Sequence, residues 1–259
     1  MNNREVLDVA VRQSAIDLNC SPEDFFRGSP CIVRSKANPE ARKYLVLPFE
    51  CDLVFYGGNV VASVSERTEP IVHQYLNRFQ PEHCFETPNL HVLDDNLRAF
   101  GLRTRHMAEY FLPDTTELRE IPCQFPLKIL CPEEFQDLYL PQWGNALCKD
   151  RKECDLLAVG AYDGEKLIGL AGASADCTTM WQIGIDVLPD YRRRGIAASL
   201  TSRLALEIFQ RGKVPFYCAA WSNIASVRNA IRCGFRPAWA ELTAKPIEEG
   251  RMELTPSMV

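Results

Sequence analysis

The sequence predicts an α/β protein in which helices flank a mixed central sheet. Some segments carry apolar side chains at helical spacing, and others are short runs rich in β-branched residues. The two kinds of segment alternate along the second half of the chain, which is typical of an α/β fold. The length of 259 residues allows one large domain or two small ones.

The first half of the chain predicts several helices around one hairpin. We expect a helix over 4–18, a helix start at Ser21-Pro22, a hairpin of strands 52–56 and 59–64, and helices over 69–79 and 91–100. Gly57-Gly58 would supply the positive φ angles of the hairpin turn. Prolines crowd the stretch 113–132, so we predict a companion α/β domain over 1–118 and a second domain over 119–259.

The second half has a more regular pattern. We expect strands over 125–131, 156–162, 166–173, 181–188, 214–220 and 235–243, and helices from Pro132, over 195–210 and over 223–232. The helix over 195–210 carries one apolar stripe, formed by Ile196, Leu200, Leu204 and Ile208, and Gly212 follows its end.

Composition excludes several classes of protein. The net charge of −5 argues against a nucleic-acid-binding surface, and no apolar run approaches the roughly 20 residues of a membrane span. The start of the chain lacks the apolar core of a secretion signal. Eleven cysteines are scattered without a Cys-x-x-Cys pair, which predicts buried thiols in a reducing cytoplasm rather than a zinc site or a disulfide framework.

One segment carries the clearest chemical signal. A strand ends at Pro189, three arginines (Arg192, Arg193 and Arg194) follow, and Gly195 begins the long helix. Loop N–H groups and the positive end of a helix dipole together form a site for a pyrophosphate. Between Arg192 and Arg236 there are nine basic residues and one acid, Glu207, so this acidic chain has a local basic region.

This segment resembles the acyl-CoA-binding signature of the GNAT acetyltransferase superfamily, Arg/Gln-x-x-Gly-x-Gly/Ala, which stands here as Arg192, Gly195 and Ala197. A second family motif, from an asparagine through to Gly-Phe, matches Asn223 to Gly234-Phe235. The resemblance covers about residues 125–245 and implies a GNAT-like sheet there. For residues 1–118 two alternatives stay open: a companion or lid domain, or a degenerate copy of the same fold.

The resemblance also implies where acetyl-CoA would bind, without a metal. The backbone of Ile185, Val187 and Leu188 would hold the pantetheine, and one of its N–H groups would polarise the thioester carbonyl. The pyrophosphate would be held by Arg192, Arg193, Arg194, Gly195, Ile196, Ala197 and Ala198. Asn223 and Ser226 would contact the pantetheine from the other side, and Arg228 or Arg232 would reach a phosphate.

The catalytic groups depart from the common family pattern. Many members carry a tyrosine at the position of Ala230, as the acid for the leaving thiolate. Without it, Ser226 or Ser222 becomes the candidate group for the thiolate. Asp186 is the candidate base, and the alternative is that this carboxylate pairs with the nearby arginines; Glu241 and Gln182 are weaker candidates.

The function that follows is an N-acetyltransferase. It would move an acetyl group from acetyl-CoA to a primary amine by direct attack on the thioester. The acceptor stays open between a small molecule and a protein N-terminus, and the oligomeric state is open as well. The alternatives are a non-catalytic acyl-CoA-binding sensor or interaction module, and a transferase for a longer acyl chain.

Overall fold

A computed structural model describes residues 1–247, which form five α-helices and ten strands. The helices are α1 (Asn3–Leu18), α2 (Glu69–Arg78), α3 (Thr87–Arg98), α4 (Ile196–Gln210) and α5 (Ile224–Arg232). The strands are β1 (Cys31–Arg34), β2 (Cys51–Phe55), β3 (Val60–Val64), β4 (Leu102–Pro113), β5 (Leu127–Leu130), β6 (Asp155–Asp163), β7 (Lys166–Ser174), β8 (Met180–Val187), β9 (Val214–Ala219) and β10 (Phe235–Pro246).

The predicted α/β class is confirmed, and so is the order of most elements. Parallel and antiparallel pairs both occur, so the sheet is mixed as expected. Two strands, β1 and β4, were not predicted. The helix predicted from Pro132 is wrong: Pro132–Glu134 forms a single 3-10 turn, and further 3-10 turns follow up to Cys154. Pro141 and Gly144 interrupt this stretch, so no long helix can form there.

Contacts divide the chain into two compact units. The first contains Met1–Val9 and Phe111–Pro237; the second contains Ala10–Tyr110 and the described residues from Ala238 onward. The predicted division lies at residue 118, whereas this grouping gives 111–118 to the first unit and the end of β10 to the second. The end of β10 joins the second unit because Ala240–Ala244 pairs antiparallel with β2.

The first unit is built around strands β5 to β9. They lie in the order β9, β8, β7, β6, β5, with β8 and β9 parallel and the other pairs antiparallel. Helix α4 packs closely on β7 at Gly169, which has no side chain. A Cβ added there would lie only 3.0 Å from the side chains of Ile196 and Leu200. The predicted stripe of α4 is confirmed, since Ile196, Leu200, Leu204 and Ile208 are all buried in this core.

The second unit has its own core. Its strands lie in the order β1, β3, β2, β10, β4, and β1 pairs parallel with β3. Helices α2 and α3 bury Val72, Tyr75, Leu93 and Leu97 in this core. The unit is therefore α/β as well; that it is a degenerate copy of the first unit stays a prediction.

Candidate functional site

The loop between β8 and α4 turns its backbone at two residues with left-handed geometry. Arg193 has φ of 63° and Gly195 has φ of 81°. Alternation of left-handed and ordinary conformations directs successive N–H groups toward one concavity. Gly195 is the N-cap of α4 and has no side chain to cap the helix, and an added Cβ there would meet nothing within 4 Å. The first N–H groups of this 15-residue helix therefore have no N-cap side chain as acceptor, as an anion site requires.

The three arginines of this loop have different environments. Nε of Arg192 donates to the carbonyl oxygen of Val187 at 3.0 Å, which ties the loop to the end of β8. The Arg194 guanidinium lies 5.2 Å from the ring centre of Tyr191. Arg193 is exposed. Arg193 and Arg194 are thus the side chains that can add positive charge beside the free N–H groups, while Arg192 stabilises the loop.

Strands β8 and β9 separate before they end. Their parallel pairing runs from Met180 opposite Val214 to Gln182 opposite Phe216, and both strands continue beyond it. On its other side, β8 stays paired with β7 as far as Val187. The edge of β8 that faces β9 is therefore available from Ile183 onward, which includes the predicted pantetheine residues Ile185 and Val187.

Asp186 is held by a neighbouring turn. Its carboxylate accepts hydrogen bonds from the Asn145 backbone N–H at 2.9 Å, the Asn145 side-chain amide at 2.7 Å and the Ala146 N–H at 3.0 Å. The turn lies directly on the sheet at two glycines that have no side chain to keep it away. A Cβ added at Gly184 would lie 1.8 Å from the Asn145 carbonyl oxygen, and one added at Gly172 would lie 1.9 Å from the Ala146 carbonyl oxygen. The structure thus joins Asp186 to the turn at Asn145–Ala146, which the sequence did not indicate.

The start of α5 brings together two of the predicted residues. Asn223 is the N-cap, and its Oδ1 accepts the N–H of Ser226 at 3.2 Å, so its amide N–H groups are the ones that can reach a ligand. The Ser226 hydroxyl lies 2.8 Å from the hydroxyl of Tyr217 on β9. Ser222 and Arg228 are exposed, and Ala230 is fully buried in the core. Tyr217 is a contact of Ser226 that the sequence did not reveal.

A cavity of the first unit lies away from the loop at Gly195. It has a volume of about 510 Å³ and is lined by apolar residues of β5 and of the segment before it, with Glu120, Lys128 and Arg203 among its polar residues. It shares no lining residue with the loop at Gly195. We therefore base the candidate site on backbone geometry and not on this cavity.

Two further observations concern residues 1–247. No helix there is both long and apolar enough to cross a membrane. No group of three or more histidine, cysteine or acidic side chains there is arranged to hold a metal ion. All eleven cysteines lie in this range, and all are free thiols.

The second unit contains a buried cluster of charges, which we call the acid–arginine cluster: Asp17, Arg42, Asp52 and Glu241. Arg42 and Asp17 form an ion pair at 3.0 Å with both side chains 1% exposed. Asp52 accepts a hydrogen bond from Thr243 at 2.5 Å, and its other oxygen has no hydrogen-bond partner among the described residues. The cluster holds three carboxylates and one guanidinium, so two carboxylates have no matching cation within it.

Aromatic rings surround this cluster. Trp239 is stacked between Tyr110 at 4.6 Å and Tyr56 at 5.3 Å, and the Arg42 guanidinium lies 5.4 Å from the Trp239 ring centre. Burial raises the pKa of Glu241 to about 6, although the charge of Arg42 opposes this shift. Burial also raises the pKa of Asp52 well above its usual range, and the neighbouring Glu241 adds to the shift.

The substitution Glu241→Gln should therefore stabilise the protein above pH 6. The carboxyl group of Glu241 binds its proton more tightly in the folded protein than in the unfolded one. Its contribution to the free energy of unfolding is therefore full below about pH 4.5 and is lost as the pH rises through about 6. A neutral isostere avoids that loss, and we expect a gain of about 2 kcal/mol at pH 7.5 and almost none at pH 4.5. Urea unfolding at both pH values measures it. The control is Glu207→Gln, which removes a carboxylate paired with Arg203 and Arg211 and should not stabilise; equal effects at the two pH values would contradict the prediction.

Part of the chain matches a protein-family model. Residues 115–235 match the model described as the acetyltransferase (GNAT) family. The matched range contains β5 to β9, α4, α5 and the loop at Gly195. A comparison with curated proteins gave no match.

Solved structures with a similar fold were also found. A GCN5-related N-acetyltransferase from Kribbella flavida is 17% identical with a TM-score of 0.48, over 61% of this chain and 63% of the other. A GCN5-related N-acetyltransferase-like protein from Streptococcus suis is 17% identical with a TM-score of 0.46, over 60% and 68%. The ribosomal-protein-S18-alanine N-acetyltransferase from Escherichia coli is 19% identical with a TM-score of 0.36, over 50% and 97%.

Proposed function

We propose, on the premise that residues 115–235 form an acetyltransferase (GNAT) domain, that this protein transfers an acetyl group from acetyl-CoA to a primary amine. The family match supports acetyl transfer in general. The observation that carries the finer proposal is the combination of an uncapped helix N-terminus at Gly195 with the separation of β8 from β9 directly before it. Together they offer an anion site and a free strand edge in one continuous segment.

Each part of acetyl-CoA has a proposed contact. The N–H groups from Arg193 to Ala198 hold the pyrophosphate, with the exposed side chains of Arg193 and Arg194 beside it. The free edge of β8 pairs with the pantetheine amides from Ile185 to Leu188, as an added strand would. Asn223 donates a hydrogen bond from its side-chain amide to the pantetheine. The exposed Arg228 provides a further positive charge.

The reaction needs few protein groups. The amine attacks the thioester carbonyl, a β8 N–H stabilises the developing charge on its oxygen, and the C–S electron pair leaves with the sulfur. The proton of the amine passes to a base. Asp186 stays the proposed base, and to accept a proton it would have to release one of the N–H groups of Asn145 or Ala146 that now bind it.

A second candidate function is a non-catalytic acyl-CoA-binding module. It is favoured by Ala230, which is fully buried and provides no hydroxyl where the family resemblance leads us to expect one. Binding and turnover would use the same loop. Release of free coenzyme A in the presence of an amine distinguishes the two functions, because only the enzyme forms the thiol.

Calorimetric titration with acetyl-CoA tests the proposal first. We expect the native protein to bind with a dissociation constant in about the micromolar range. The double variant Arg194→Glu, Gly195→Asp should weaken binding by about a hundredfold or more, because it places two carboxylates beside the pyrophosphate. The control is Gly212→Asp: Gly212 has φ of 71°, meets nothing within 4 Å and follows the other end of α4. Equal binding by the double variant and the native protein would contradict the proposed loop.

The acceptor and the compartment are also proposals. If the native protein binds acetyl-CoA, a panel of small primary amines and short peptides with free N-termini, each assayed for thiol release, tests the acceptor class. We place the protein in the cytoplasm. Its eleven free thiols support this placement, because a reducing compartment preserves them.

A further inference from the structure

Four polar side chains form a continuous chain beneath the start of α5. Asn229 Nδ2 lies 3.0 Å from Thr201 Oγ1 on α4. The Asn229 side chain also hydrogen-bonds the Tyr217 hydroxyl, which lies 2.8 Å from Ser226 Oγ. Thr201 and Tyr217 are buried, whereas Ser226 is half-buried. The chain therefore runs from the core outward and ends at Ser226.

The donors available limit the direction of these hydrogen bonds. An asparagine amide nitrogen has two N–H groups, so Asn229 can donate to Thr201 and to Tyr217 at once. The Tyr217 oxygen then accepts from Asn229; either hydroxyl of the Tyr217–Ser226 pair can donate, and the relay uses the orientation in which Tyr217 donates to Ser226. With its oxygen accepting from Tyr217, Ser226 has its hydroxyl proton left to donate. The outer end of the chain is thus a polarised O–H donor.

We infer that Tyr217 and Asn229 position and polarise Ser226 so that its hydroxyl donates a hydrogen bond to the departing thiolate of coenzyme A. This inference rests on the proposed function. Ser226 lies one helical turn before Ala230 on the same face of α5. Its hydroxyl takes the place of the one that is missing at Ala230, and Tyr217 of β9 acts through it. Tyr217 and Asn229 are positioning residues, and Ser226 is the group that touches the sulfur.

No proton has to leave Tyr217 in this arrangement. Burial raises the pKa of Tyr217, so the phenol keeps its proton and stays a donor at neutral pH. When the C–S bond breaks, the electron pair goes to the sulfur, and the Ser226 O–H stabilises that charge with its proton in place. The proton released by the amine goes to the base. The hydrogen bond from Ser226 to the charged sulfur becomes stronger when the Ser226 oxygen itself accepts a hydrogen bond, and Tyr217 provides that second bond.

The test uses the thiol of bound coenzyme A as its own probe. Ultraviolet difference spectra with and without coenzyme A, recorded against pH, follow ionisation of the bound thiol in the full-length protein. Tyr217→Phe and Ser226→Ala should each raise the pKa of that thiol by about one unit, a tenfold loss of thiolate stabilisation. The variant with both changes should shift it no further than Ser226→Ala alone, because the two residues act in series.

The matched control is Ser202→Ala. It removes a buried hydroxyl of α4 that accepts the Ile121 N–H and donates to the Ser199 carbonyl oxygen, so none of its hydrogen bonds belongs to the chain that ends at Ser226. We expect it to lower stability about as much as Tyr217→Phe without moving the thiol titration. In the amine assay, Tyr217→Phe should lower kcat about tenfold with little change in acetyl-CoA affinity.

The outcomes separate the two proposals. If the native protein binds coenzyme A and the titration is the same in Tyr217→Phe, the inferred relay is wrong and the acetyltransferase proposal stands. An equal shift in Ser202→Ala would also overturn the relay, because a structural disturbance would then explain it. A native protein that binds no coenzyme A would overturn the proposed function, and the relay with it.

Discussion

Replacing Arg42 by methionine should destabilise the second unit by about 3–5 kcal/mol at pH 7.5. The guanidinium is 1% exposed and forms an ion pair with the equally buried Asp17, and it is the cation that faces Asp52 and Glu241 as well. Methionine keeps much of the volume but leaves three carboxylates without that charge. Removal of one partner of a buried ion pair costs far more than the pair contributes, because the remaining charge stays buried.

Urea unfolding followed by circular dichroism measures this loss, and pH supplies a second readout. The loss should become smaller at pH 5, because Asp52 and Glu241, whose pKa values are raised, are then protonated to a larger extent. Lys43→Met is the matched control: it removes an exposed cation next to Arg42 in the chain and should change stability by less than about 0.5 kcal/mol. A similar small effect of Arg42→Met would show that the cluster does not need its cation.

A partial rescue would identify the cause. In the variant that combines Arg42→Met with Asp17→Asn, the partner of the lost guanidinium is neutral. We expect the double variant to recover about 1–2 kcal/mol relative to Arg42→Met, since residues in one ion pair are not additive. If the double variant is less stable than Arg42→Met, the loss comes from packing against Trp239 and not from charge.

Local sequence signals predicted the first unit well. The strand, loop and helix around Gly195 are consecutive in the chain, so the glycine, the arginines and the apolar stripe of α4 could be read together. The same holds for the N-cap at Asn223. Where a structural feature is formed by residues close in the chain, the sequence identifies it because few other partners compete.

Features formed by distant residues could not be predicted in the same way. The acid–arginine cluster joins α1, the loop before β2, β2 itself and β10, and Asp52 lies 191 positions from Thr243, which donates a hydrogen bond to it. One signal was present: Asp52 and Glu241 are single acids within otherwise apolar strand segments. A lone charge in a buried strand indicates a partner, but the sequence does not name it. Tyr217 and Ser226 are only nine positions apart, but their contact depends on how α5 packs on β9, which the sequence pattern does not specify.

Strand β4 shows a different limit. Its first part alternates Arg103 and Arg105 with less polar residues, and only its second part, from Tyr110, is continuously buried. Its residues up to Tyr110 belong to the second unit and its last three to the first, so no single pattern covers its twelve residues. The turns between Pro132 and Cys154 likewise lack a regular period, because their shape is set by contacts with the sheet at Gly172 and Gly184.

The substitution Gly184→Ala should cost about 3 kcal/mol or more, although it adds one methyl group. An added Cβ would lie 1.8 Å from the Asn145 carbonyl oxygen, which is backbone and cannot rotate away. The turn must therefore move off β8, and the three N–H groups that bind Asp186 move with it. Gly144→Ala is the matched control, because Gly144 has φ of −70° and its Cβ would meet only a carbonyl oxygen at 3.4 Å. We expect that control to change stability by less than about 1 kcal/mol.

The same substitution separates the two roles considered for Asp186. If this carboxylate mainly holds the turn, Asp186→Ala and Gly184→Ala disturb the same contact, and the variant with both changes should be little less stable than the worse single variant. Acetyl-CoA affinity should fall by less than about tenfold in each, because the loop at Gly195 lies beyond the contact and the proposed pantetheine contacts use the β8 backbone instead of the Asp186 side chain. If Asp186 is also the base, Asp186→Ala should lower the rate of amine acetylation by about a hundredfold or more. Gly184→Ala keeps the carboxylate and should therefore keep part of that rate. Equal rates in the two variants would assign Asp186 to the turn alone.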